Sequence, residues 1–316
     1  MKHLVFISTV LGQAAILCST PGVLAAQAVC SAPHSSPTLA GRGSVRVLPR
    51  WAGWIQVSGL EQSANRFFTP SGDRRAFLSE ATFRTRSAFL TGALGLGHGV
   101  ELWAQLPIHR LSVERPETTT RSNGLGDLRL AARVGARALG LNLPFALRIG
   151  TKLPGSDFPV DASVLPLTEG QRDWELSLES GSTLRGEAVH AIGWAGYRWR
   201  EANVKADRDP GDEWFAHLAV GGRAGPMMWQ VGAEALWGRP LTVLGFELRD
   251  EARRLVQLVP TVGMALGPGD LELTAQLPLS GRNLPAANGL SVGYRITWGL
   301  EPQVDESALD DWLERR

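Results

Sequence analysis

From Trp51 to Leu300, apolar and polar residues take turns along segments of roughly ten residues, the period expected of strands and not of helices. Between Asp127 and Leu139, Leu128, Leu130, Ala132, Val134, Ala136 and Ala138 share one face, while Asp127, Arg129, Arg133 and Arg137 share the other. Phe145, Leu147 and Ile149 oppose Arg148 and Lys152, and Trp174, Leu176 and Leu178 oppose Glu175, Ser177 and Glu179. The final segment sets Leu290, Val292, Tyr294, Ile296 and Trp298 against Ser291, Gly293, Arg295 and Thr297. Successive side chains of a strand point to opposite faces, so each segment has one oily and one polar wall. The pattern predicts about twelve strands, near 51–59, 80–93, 99–109, 126–139, 143–153, 172–184, 186–200, 213–223, 227–238, 254–266, 270–279 and 289–300.

The links between these strands alternate in length. Leu94–His98, Gly140–Asn142, Leu184–Gly186, Ala224–Pro226 and Gly267–Gly269 are short, whereas the links near 60–79, 110–125, 154–171, 201–212, 239–253 and 280–288 are long. Tight turns at one rim and long loops at the other are the habit of outer-membrane barrels. The expected fold is therefore all-β, a transmembrane antiparallel β-barrel of about 12 strands with its N- and C-termini periplasmic. Trp229 and Trp237 lie on one face eight residues apart, and a strand tilted by roughly 40° would separate them by about 20 Å, the spacing of two aromatic girdles. Trp51, Trp174, Trp199, Trp214 and Trp298 also fall on apolar faces near strand ends. A soluble β-sandwich can alternate in the same way, but it gives no reason for long and short links to take turns.

Composition narrows the classes further. With 36 Gly, 11 Trp and 2 Tyr, and no long apolar run, a bundle of membrane-spanning helices is excluded. Lys+Arg 32 against Asp+Glu 31 gives a formal charge of +1, so nucleic acid is not an expected partner. Residues 1–28 read as a signal peptide: Lys2, an apolar stretch to Leu17, Pro21-Gly22, and Ala26-Gln27-Ala28 as the cleavage site. Its removal takes Cys18 and leaves Cys30 without an intrachain partner. Lipid anchoring at Cys30 is disfavoured, because the preceding Val29 is not a small residue. Residues 29–50 are expected to be a flexible periplasmic lead-in, 51–300 the barrel, and 301–316 an acidic periplasmic tail.

Taken literally, the alternation turns Arg84, Arg86, Glu101, Arg129, Arg133, Arg137, Arg148, Lys152, Glu175, Glu179 and Arg295 into the lumen, with basic and acidic walls on neighbouring strands. Such a lining is either a structural plug of ion pairs or a wall selecting polar solutes. His109, His190 and His217 fall inward on separate strands, and no nucleophile–base arrangement, metal spacing or phosphate loop emerges. No catalytic residue, metal or cofactor is expected.

The run Gly124-Leu125-Gly126-Asp127-Leu128, followed by Leu143-Pro144 and Lys152-Leu153-Pro154-Gly155, resembles a specific group: the outer-membrane family named for the meta-pathway of phenol degradation, a set of transporter-like exported barrels. Leu94-Gly95-Leu96-Gly97-His98-Gly99-Val100-Glu101-Leu102 with Leu106-Pro107 looks like the preceding strand of that family, and the likeness departs at Ser156 after Lys152-Leu153-Pro154-Gly155, where the family more often reads K-x-P-T-G. The resemblance implies passive uptake of a small hydrophobic or aromatic compound through the outer membrane. The alternative is a closed-lumen barrel acting as a structural or interaction protein. Ser291–Trp298 is similar to the β-signal read by the barrel assembly machinery, which with outer-membrane lipid and a small-molecule solute makes up the expected partners.

Overall fold

The computed structural model describes residues 47–159, 164–184 and 189–299. Twelve strands form one sheet: β1 (Gly53–Ala64), β2 (Thr82–Gly97), β3 (Val100–Glu114), β4 in two parts (Thr119–Leu125 and Leu128–Gly135), β5 (Phe145–Leu153), β6 (Asp173–Leu184), β7 (Val189–Arg200), β8 (Glu213–Ala224), β9 (Met227–Gly238), β10 (Arg254–Leu266), β11 (Gly269–Arg282) and β12 (Asn288–Trp298). Each is antiparallel to its neighbours, and β1 pairs with β2 on one side and β12 on the other, which closes the barrel. β1 begins, and β12 ends, at the rim that also carries the tight turn Gly97–Gly99.

The outward face bears the apolar half of the alternation. Leu218 and Val57 are 65% and 61% exposed, and Leu90, Leu102, Ile108, Ile149, Leu178, Val231 and Leu290 continue the same belt around the wall. A closed barrel satisfies its backbone internally, so such a belt is stable against lipid, where exposed leucine carries no penalty. Aromatic residues edge it: Trp174 faces Trp199 and Trp214 faces Trp237 at the long-loop rim, while Trp298 lies at the opposite rim and donates its indole N–H to the Trp51 carbonyl at 3.0 Å.

Strands at the long-loop rim outrun the pattern that predicts them. β1 continues to Ala64, and β3 and the first part of β4 form a projecting hairpin from 100 to 125, where a loop is expected at 110–125. Above the lipid there is no need for an oily outer face, so the alternation fades while the ladder persists. The strand expected at 126–139 instead stops at Gly135, and Ala136–Leu139 is a 3-10 turn closed by Gly140 at φ 75°. Two small three-stranded sheets, one of Arg66–Phe68, Arg74–Ala76 and Leu284–Pro285, the other of Arg208–Asp209, Leu241–Val243 and Phe246–Leu248, form at the long-loop rim. The expected signal peptide 1–28, the turn residues 185–186 and the acidic tail 301–316 lie outside the described residues. At the end of the expected lead-in, Val47–Arg50 is docked: Leu48 packs against Trp54, Ala93 and Trp103, and its N–H donates to Glu101 Oε2 at 2.9 Å.

β4 is interrupted at Gly126-Asp127. Opposite the break stands Pro107, which has no N–H to offer the ladder; Gly126 N–H donates instead to the Pro107 carbonyl at 3.0 Å. Gly126 passes so close to the His109 ring that a Cβ there would lie 2.3 Å from it, and a Cβ on Gly155 would lie 1.8 Å from the Gly126 carbonyl oxygen. Two glycines thus let β4 bend away while the chain leaving β5 crosses over it. Gly155→Ala is expected to destabilise the barrel by about 1–3 kcal/mol through overpacking, read as a lower thermal transition of the heat-modifiable band in detergent. Gly59→Ala, whose Cβ would meet nothing within 4 Å, leaves that transition unmoved.

Candidate functional site

The register places opposite charges side by side across the lumen wall. One row runs Gln105, Arg129, Lys152, Asp173, Arg200 over β3 to β7, and a second runs Glu101, Arg133, Arg148 over β3 to β5. A third carries Glu175, Arg198 and Glu213. In one cluster Arg133 bonds Glu101 at 3.2 Å and Glu179 at 2.6 Å, and Arg148 also reaches Glu179 at 3.3 Å while lying over the Trp103 ring. In the other, Arg198 bridges Glu175 at 2.6 Å and Glu213 at 2.7 Å, and Glu213 also holds Arg200 and Arg253. Arg129 stands 3.7 Å from Glu175. Seven cations (Arg129, Arg133, Arg148, Lys152, Arg198, Arg200, Arg253) thus face seven carboxylates (Glu101, Asp127, Glu169, Asp173, Glu175, Glu179, Glu213), so the network is electrically neutral.

Glu169 arrives from the β5–β6 connection, which folds from the long-loop rim into the barrel. Its carboxylate accepts from Lys152 Nζ at 2.5 Å, from Arg253 at 3.2 Å and from Arg200, and its carbonyl accepts from Asn203 Nδ2 at 3.0 Å. One residue earlier Thr168 donates its hydroxyl to Asp127, and Asp127 also stands 3.5 Å from Lys152. Gly170 turns the chain at φ 77°, where a Cβ would lie 2.4 Å from Asn203 Nδ2. Burial alone would push the Glu169 carboxyl up, but Arg200, Lys152 and Arg253 together hold it well below the usual carboxylate range. The loop is therefore pinned by a buried anion shared among three cations.

Next to this pin the lumen mouth becomes apolar. Leu165 of the same loop packs with Phe77, Phe83, Leu111, Val113, Ala64 and Ala81, with Phe67 and Leu167 at the margin. The Phe77 and Phe83 rings are 4.4 Å apart between centroids. A cavity between Gln62, Phe83, Leu111, Val113, Leu165 and Ala287 is about 20 Å³, room for a water but not for an aromatic ring.

Of the residues expected in the lumen, Glu101, Arg129, Arg133, Arg148, Lys152, Glu175 and Glu179 come together in the two clusters. Arg295 lies inward on the other wall, completely buried and paired with Glu272, whose other oxygen accepts from Gln56 at 3.1 Å. Three do not line the lumen. Arg84 and Arg86 point outward, because Phe83, Thr85, Ser87 and Phe89 occupy the inward positions of β2; they pair instead with Glu114 and Glu61 on the outer wall. Arg137 sits exposed in the 3-10 turn that ends β4. Sequence reasoning missed Asp173, Arg200 and Glu213, which continue the inward parity at strand ends, and Arg253 just before β10. It missed Glu169 for want of any periodic signal in a loop. Ser87 and His109 share a hydrogen bond of 2.8 Å across β2 and β3, but the far side of the ring packs against Gly126, which makes this a strand tie and not a nucleophile–base pair.

Comparison with solved structures places the barrel beside the COG4313 outer membrane channel from Pseudomonas putida F1: 19% identity, TM-score 0.68, 81% of this chain and 98% of that one covered. The translocator domain of the autotransporter NalP from Neisseria meningitidis aligns at 11% identity and TM-score 0.45 over 78% of this chain and 88% of its own. The CymD monoaromatic hydrocarbon channel aligns at 9% and 0.40 over 80% and 90%. No curated protein matches the chain. The family model described as "Putative MetA-pathway of phenol degradation" matches residues 47–294, from the docked segment before β1 to the last strand, and the chain belongs to that family.

Proposed function

We propose that the protein is an outer-membrane channel for passive uptake of a small hydrophobic or aromatic compound, with its long loops outside and both termini in the periplasm. The observation that carries this reading is the apolar mouth closed by Leu165, four residues before the pinned Glu169. An oily solute that takes the place of Leu165 among Phe77, Phe83, Leu111 and Val113 competes with the loop for the same surface. Withdrawal of the loop then draws Glu169 away from Lys152, Arg200 and Arg253. Separating a buried carboxylate from its partners costs about 3–5 kcal/mol, which keeps the empty channel closed well over 99% of the time. Solute burial at roughly 25 cal/mol per Å² of apolar surface offsets that cost. The balanced charge of the network suits a plug that keeps hydrophilic leakage low better than a wall selecting one sign of ion. The docked Val47–Arg50 and the pinned loop together favour the second reading, a closed barrel with a structural role, and the first experiment below separates the two.

In planar bilayers Glu169→Gln is expected to raise open probability at least tenfold over the native protein; silence in both would favour the closed barrel. Because the folded pKa of Glu169 is depressed, its contribution to closure is complete above the ordinary carboxylate range and disappears only as pH falls through the lower folded value. The difference between native and Gln channels should therefore stay flat from about pH 5 to 8, and a midpoint inside that window would refute the pin. Phe83→Asn removes about 1.5–3 kcal/mol of apolar contact and should cut uptake of radiolabelled phenol roughly tenfold, leaving uptake of a sugar unchanged. Orientation is read by a bulky membrane-impermeant maleimide on intact cells in a Cys30→Ser background: Glu117→Cys is labelled, and Pro268→Cys in a short turn is not.

A further inference from the structure

The outer wall just above the apolar belt carries arginines that face one another across strands. Arg86 on β2 is directly opposite Arg110 on β3, and on the next row Arg84 and Arg121 flank Ser112. Like charges directly opposite on one face of a sheet repel. Glu61 reaches Arg86 at 3.2 Å and Glu114 reaches Arg84 at 3.8 Å, each between groups more than a third exposed to water. Among the described residues no carboxylate comes within ion-pair distance of Arg110 or Arg121. Four arginines less two glutamates leave this patch at +2. A second opposed pair, Arg254 with Arg282, stands at the same rim on β10 and β11. The outward face of the short-turn rim has no such pair among the described residues.

The molecule shows what an opposed arginine pair needs. Arg133 and Arg148 also face each other across β4 and β5, and there Glu179 sits between them, bonded to both. Arg86 and Arg110 lack that central anion. The row beneath them is Gly59, Ala88, Ile108 and Leu125, the top of the lipid-facing belt, so on a strand tilted by roughly 40° the guanidinium stems start about 5 Å above the hydrocarbon edge. That is headgroup height. A planar guanidinium fork matches phosphate oxygens in bidentate fashion, and a phosphate held between the pair converts repulsion into two charge-assisted contacts.

We propose that Arg84, Arg86, Arg110 and Arg121 form a binding site for the phosphates of lipid A, the phosphorylated glycolipid of the outer leaflet. The placement rests on the orientation proposed above, and the patch is distinct from the lumen and from any solute path. The net +2 of the patch is opposite in sign to a headgroup carrying two phosphates, each of about −1.5 to −2 at pH 7.

The test is native mass spectrometry of the detergent-solubilised full chain mixed with bisphosphorylated lipid A, with enzymatically dephosphorylated lipid A, or with phosphatidylglycerol. The native protein should retain bisphosphorylated lipid A at least fivefold better than either comparison lipid. Replacing the four arginines by Gln should abolish the preference, and replacing them by Lys should keep part of it. The heat-modifiable band reports that each variant is folded. Equal retention of the three lipids by the native protein, or undiminished preference in the folded Gln variant, overturns the site while leaving channel and orientation standing. Failure of Glu117→Cys to label in intact cells overturns the orientation, and with it the outer-leaflet placement, whatever the lipid data show.

Discussion

A ring of twelve strands encloses an interior too narrow to hydrate its charged side chains freely and too polar to pack as an apolar core. Neutrality within the lumen is therefore the constraint on which the rest of the structure depends. An ionised group in that space must meet a counterion across a strand, since an unpaired buried charge costs several kcal/mol. The antiparallel register meets this demand locally, setting Glu101 beside Arg133 and Lys152 beside Asp173. Where the wall alone falls short, the chain imports a charge from outside it: Asp127, Asp173 and Glu213 do not by themselves neutralise Lys152, Arg200, Arg198 and Arg253, and the carboxylate of Glu169 completes the balance. The inward fold of the β5–β6 connection is thus an electrostatic necessity as much as a steric one.

The short glycine and proline motifs acquire a physical meaning once they are placed. Leu106-Pro107, Gly124-Leu125-Gly126-Asp127 and Lys152-Leu153-Pro154-Gly155 are separate in sequence but converge at one point of the wall. Pro107 ends the ladder, Gly126 slips past the His109 ring, and Gly155 crosses over Gly126 with no room for a side chain. That crossing aims the loop inward just where Asp127 and Lys152 stand ready to take Thr168 and Glu169. Backbone freedom at two glycines and charge at two flanking residues are parts of one device.

Strand number, closure and most inward charges are legible from period two alone, because lipid and lumen impose opposite chemistry on alternate residues. The rule fails where its cause is absent. Above the hydrocarbon the outer wall meets water, so Arg84 and Arg86 face out and Phe83 faces in, the reverse of the expected assignment of those arginines to the lumen. At Arg137 the strand has already ended in a 3-10 turn, which the unbroken alternation of Ala136 and Ala138 conceals. Glu169 is invisible for a different reason: its place is set by three cations on three other segments, and no pattern in its own neighbourhood encodes them.

In the proposed channel, a charged plug inside a route for oily molecules is less paradoxical than it looks. A barrel wide enough to pass an aromatic ring would, if merely hollow, also pass water, ions and small polar toxins. An ion network excludes these because each of its members is already paired and has nothing to gain from a hydrophilic visitor. An apolar solute gains little from the network either, but it gains much from the surface that Leu165 covers, and Leu165 and Glu169 belong to the same short stretch of chain. On the proposed reading, linking that apolar lid to the imported counterion makes opening conditional on apolar occupancy. Selectivity then resides in the competition for the mouth, and the lumen charges supply the threshold that the competition has to exceed.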